Sequence, residues 1–115
     1  MEDMIPMQSS DTEIVEIDEK ANEIQGKIIY ELNKQRKEKI NLEAQLVKLV
    51  DHAKELKEKY NSLKDNMGSD GVSIDFVKEI ANLYKKTVQK ARDIEVKLKN
   101  IETDIKTLER ASQIV

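Results

Sequence analysis

The residues with chemical potential are few and scattered. His52 is the single histidine of a 115-residue chain that has no cysteine. A zinc site needs several His or Cys ligands held together, so none can be assembled here. The glycines at 26, 68 and 71 lack the spacing and the Lys-Ser/Thr pair of a phosphate-binding loop. The segment DNMGSD, residues 65–70, joins acids to a glycine but lacks the ligand spacing and terminal Glu of a calcium loop. Carboxylates are plentiful, yet lysines interrupt them in the manner of solvated helix faces. Tyr60 and Tyr84 fall on an apolar stripe and read as packing residues whose hydroxyls reach water. The sequence therefore predicts no enzyme, no cofactor, no metal and no catalytic residue.

The work must then lie in the elements themselves. The chain is 37% charged and 3% aromatic, with one proline and three glycines. Such a composition, rich in Lys, Glu, Leu and Ile, is that of long helices rather than of a turn-rich sheet. No run approaches the ~18 apolar residues of a membrane span, so no membrane insertion is expected. The opening MEDMIPMQSS lacks the basic start and apolar centre of a secretory signal. Together with the missing cysteine, this suggests an intracellular protein, cytoplasmic or nuclear.

Charge is unevenly spread. Residues 1–25 hold eight acids and one base, about −7, against a total of −3, which leaves about +4 on the remainder. An acidic arm on a mildly basic rod is implied. The densest basic stretch, Lys34 to Lys39, reads as a solvated face, and no nucleic-acid partner is expected.

One strong break follows residue 10, at DNMGSDGVS. Gly68 can end a helix in the left-handed conformation, and Ser73 can cap the next one, with Asp75 favouring its dipole. Val72 and Val77 have the spacing of a hydrophobic staple. The boundaries expected are a disordered tail over 1–10, helix over 11–66, turn over 67–73 and helix over 74–113.

Both helices carry heptad seams. In the first, the apolar members are Leu32, Leu42, Leu46, Leu49, Ala53, Leu56, Tyr60 and Leu63, with Gln35 and Lys39 as polar members. In the second they are Val77, Ile80, Tyr84, Ala91, Ile94, Leu98, Ile101, Ile105 and Leu108, with Thr87 and Ser112. Pairing residues whose numbers sum to 140 centres the match on residue 70, inside the turn. The fold class that follows is all-α: a long antiparallel helical hairpin of coiled-coil type. It carries an N-terminal helical arm and belongs to a multi-chain helical bundle. On the flanks, Arg36 is expected near Glu102, while Glu38 near Asp104 and Glu43 near Glu95 are like-charge pairs that basic partner flanks would relieve.

Upstream, Ile14, Ile17, Ala21, Ile24 and Ile28 form a further stripe. It meets the main seam through two steps of four, a stutter that contains Gly26, so local unwinding or a bend is expected at 26–28. Off the seam, Ile40, Val47 and Val50, with Val88, mark one edge of the hairpin, and Phe76 and Leu83 the other. With Ile14, Ile17, Ile24 and Ile28 these are the residues expected to meet other helical chains, in a hetero-oligomer ahead of a homo-oligomer. The class of function expected is a non-enzymatic scaffold, spacer or tether, by analogy with small subunits of kinetochore, coactivator and trafficking complexes. Prefoldin subunits also use long helical pairs, but the nine-residue break here cannot supply their β-hairpins. The alternative is a self-sufficient homo-oligomeric adaptor that presents the acidic arm.

The arm admits a second reading. Ile14-Val15-x-Ile17 followed by Asp18 and Glu19, and preceded by Ser9, Ser10 and Asp11, resembles a SUMO-interacting motif. That resemblance implies strand addition to SUMO's sheet, with acids or phosphoserines on its basic surface. Against it, Ile14 and Ile17 are in phase with Ala21, Ile24 and Ile28, and Ser10 with Glu13 makes a capping box, so the periodicity favours helix.

Overall fold

In the computed structural model, residues 4–69 and 71–114 are described, with side chains from Ile14 onward. Two helices account for nearly all of them: α1, Met4–Lys64, and α2, Ile74–Ile114. No strand occurs among the described residues. The chain is an all-α helical hairpin whose contacts fall into two units, residues 38–102 and residues 1–37 with 103–115.

The turn shows why the chain reverses here. Past Lys64 the backbone tightens, with the Asn66 amide donating to Leu63 O at 3.1 Å and Met67 to Lys64 O at 3.4 Å. These i to i−3 bonds occupy carbonyls that a helix end leaves open. Gly68 and Gly71 then take φ of 85° and 78°. A side-chain-bearing residue resists that region, so the two glycines set the change of direction. The Gly68 amide closes the loop on Val72 O at 2.9 Å. Asp70 lies outside the described residues.

At the start of α2, Ser73 O accepts the Val77 amide at 3.2 Å, and Ser73 Oγ accepts the Phe76 amide at 3.4 Å. Ser73 is thus the N-cap, and Asp75 sits in the first turn. Val72 is half-buried and Val77 is only 1% exposed, as a staple requires.

The larger unit, 38–102, packs its two helical limbs through the seam. Leu42, Leu56, Val77, Ile80, Ala91 and Leu98 are buried. Leu46, Leu49, Tyr60, Leu63, Tyr84, Ile94 and Ile101 are half-buried. Each such aliphatic side chain removed from water contributes on the order of 2 kcal/mol before entropy is counted. The one buried polar residue among those described is Thr87, whose hydroxyl donates to Leu83 O at 2.8 Å, so burial leaves it partnered. Grooves along this unit are lined jointly by Lys57 and Tyr84, by Tyr60 and Ala81, and by Ala53 and Val88. The Lys39–Glu102 ion pair sums to 141, within one residue of the expected register.

In the smaller unit, Leu32 and Ile105 are buried, and Ile28 and Leu108 half-buried. One boundary and one local feature differ from expectation. The helix expected from Asp11 begins at Met4. Pro6 falls in its first turn, where a missing amide donor costs nothing. Of the tail expected over 1–10, residues 1–3 lie outside the described residues. At Gly26 the helix is unbroken, and the expected unwinding is absent. The stutter is bypassed as well: among the shielded positions, Ala21, Gln25, Ile28, Leu32 and Gln35 follow steps of four, three, four and three, while Ile24 is exposed. A heptad seam continues straight through, with Gln25 in the place assigned to Ile24.

Candidate interaction surfaces

Three groups of side chains remain at the surface once the seam is formed. On the larger unit, Ile40 and Val47 stand seven residues apart and are 65% and 61% exposed. Val50, also exposed, continues this row, and it lines one groove with half-buried Val88 of α2. Lys54, Lys57 and Arg92 border that groove. Aliphatic stems of such bases can cover apolar surface while their charges stay in water.

On the other edge of the same unit lie Phe76 and Leu83, both about half exposed. The Lys59 ammonium sits 5.9 Å from the Phe76 ring centroid, a cation–π contact at an exposed site. Further along this edge the heptad row continues as Lys90 and Lys97. These two, with Lys48, Gln45 and Asp93, frame a groove of about 500 Å³ whose remaining walls are Leu49 and Ile94.

The third group is the arm. Ile14, Val15, Ile17 and Ile24 are exposed on α1, while Ala21 and Ile28 are partly shielded. The segment 14–19 is helical, so strand addition of the SUMO-binding type would require that turn of helix to open. The side chains of Ser9, Ser10 and Asp11 lie outside the described residues. Ile29, Tyr30 and Val96 are exposed apolar residues that the heptad reading passed over. They fall outside both stripes, and only the packed arrangement shows that they stay exposed among the described residues.

The following charged contacts among the described residues lie at the surface. Arg36 reaches Glu109 at 3.5 Å, and Lys39 lies 3.8 Å from Glu43 and 3.9 Å from Glu102. The expected Arg36–Glu102 pairing is therefore replaced. Helical side chains lean toward their own N-terminus. In an antiparallel pair this lets residues meet whose numbers sum to slightly more than the register, as 36 and 109 do. His52 Nδ1 faces Glu55 at 4.0 Å, three residues along the same helix, and both are exposed. Tyr60 and Tyr84, half-buried, line one groove of about 310 Å³.

Among the described residues no group of three or more His, Asp or Glu could hold a metal ion. No described helix is long and apolar enough to cross a membrane. What these surfaces offer is apolar area bordered by lysines, arginine and carboxylates. No family model, curated protein or solved structure matches the chain.

Proposed function

We propose that this protein is a non-enzymatic coiled-coil subunit that assembles with other helical chains as a scaffold, spacer or tether in a multi-subunit complex. The observation that carries the reading is the row formed by Ile40 and Val47, which stays exposed at heptad spacing after the hairpin has closed. Scattered exposed aliphatics need no explanation, but two at heptad spacing, with Val50 on the same edge, are a pattern a third helix would cover. The thinness of the hairpin supports the same reading. Two helices bury one stripe each, whereas conformational entropy costs on the order of 1.5 kcal/mol per ordered residue. Additional helices would offset that cost. The cysteine-free sequence suits a reducing compartment, the cytoplasm or nucleus.

The test is reconstitution. The full-length chain and an Ile40→Asp/Val47→Asp variant are used as bait, and co-purifying proteins are identified by mass spectrometry. The recovered helical chains are then expressed and mixed with each bait. A defined complex that raises the melting temperature of the wild type, and does not form with the variant, supports the reading. Equal binding by both baits removes it.

A further inference from the structure

We infer that the acidic arm of one molecule docks into the lysine-framed groove of a second copy. This interaction goes beyond the hetero-assembly proposed above and uses a different surface. The arm offers Ile14, Ile17, Ala21, Ile24 and Ile28 in alternating steps of three and four, with Ile17 64% exposed. Ile14 and Ile24 are likewise exposed, whereas Ala21 and Ile28 are partly shielded.

Two properties of the groove match it. The first is charge. Residues 14–28 carry Glu16, Asp18, Glu19 and Glu23 against Lys20 and Lys27, a net of −2, with Lys27 3.9 Å from Glu23. The groove presents Lys48, Lys90 and Lys97 against Asp93, a net of +2. Two arms facing each other would repel, whereas an arm facing this groove is attracted. The second is period. In the groove Lys90 and Lys97 stand seven residues apart, as do Ile14 and Ala21, and Ile17 and Ile24, on the arm. Isoleucines of the arm would lie on Leu49 and Ile94 and between the lysine stems, leaving the ammonium groups to meet the arm's carboxylates.

The experiment is a charge swap in the full-length chain, read by sedimentation equilibrium and light scattering. One variant carries Glu16→Lys, Asp18→Lys and Glu23→Lys. The other carries Lys48→Glu, Lys90→Glu and Lys97→Glu. The wild type is expected to exceed its single-chain mass of 13.3 kDa, and to approach that mass as salt is raised from about 0.05 to 0.5 M. Each variant alone is expected to remain at single-chain mass, and their equimolar mixture to regain the wild-type mass. Circular dichroism checks that helicity is kept. As a second probe, the Ile17→Asp substitution at an exposed position should raise the dissociation constant at least tenfold without lowering helicity.

A wild type that stays at single-chain mass at every concentration overturns the inference and leaves the arm to some other protein. So does a mixture of the two variants that fails to associate, or an Ile17→Asp chain that associates as the wild type does. None of these substitutions touches Ile40 or Val47. Loss of self-association with retained capture of other helical chains would therefore separate this inference from the proposed function.

Discussion

Lys39 extends its ammonium to within 3.9 Å of the Glu102 carboxylate on the facing helix, from a position that the heptad reserves for an apolar side chain. Glu43, one turn along α1, stands 3.8 Å away on its other side. Glu43 shares α1 and moves with Lys39, so the Glu102 contact is the one that depends on how the limbs align, and it favours this alignment over slipped ones.

Replacing Lys39 by Leu should raise stability and loosen register. The added seam burial is worth about 1–2 kcal/mol, and both carboxylates are exposed enough to rehydrate. Thermal denaturation would show a higher midpoint. Spin-label distances across the seam would broaden if the ion pair sets alignment, and an unchanged distribution would deny it that role.

Val77 is the most deeply buried large side chain, and Val77→Ala should cost about 2 kcal/mol. Leu83→Ala, at an exposed position six residues further along α2, should cost less than about 0.5 kcal/mol. Urea unfolding of both variants measures the contrast, and equal losses would place the core elsewhere.

Ser73→Ala removes the oxygen that accepts the Phe76 amide and should destabilise the hairpin by about 1 kcal/mol, with Ser73→Asp close to neutral. Exchange of the Phe76 amide with deuterium should accelerate in the alanine variant alone.

The glycines should respond in opposite directions. A Cβ at Gly26 would meet nothing within 4 Å, and the residue is helical, so Gly26→Ala should gain up to about 1 kcal/mol and raise helicity. Gly68 holds φ of 85°, and Gly68→Ala should lose about 1 kcal/mol or more. Far-ultraviolet dichroism with thermal melts would read both.

Much of this hairpin is legible in the chain because its signals are local and agree. The seam from Leu42 to Leu98 follows heptad spacing, the reversal sits where Gly68 and Gly71 allow positive φ, and Ser73 stands where a cap oxygen is needed. What escaped is of another kind. Met4 as a helix start puts Pro6 in a first turn, where the sequence suggests a disordered tail over 1–10. Gln25 took the seam place assigned to Ile24 because the phase set by Ile28 and Leu32 outweighs hydrophobicity at one position. Arg36 found Glu109 through side-chain lean, which residue numbering does not encode. The exposed row at Ile40 and Val47 was readable as a pattern, but a sequence alone does not say that the fold leaves it uncovered.

The unequal lengths of α1 and α2, 61 and 41 residues, bear on how this molecule is handled at the bench. A fluorescent protein or affinity handle fused after Ile114 would hang beside the root of the arm and leave its tip bare. One fused before Met4 would ride at the tip, about 30 Å further out along the helix axis. Small labels at these two termini would give a resting separation long enough for energy transfer to register any shortening of the projecting segment.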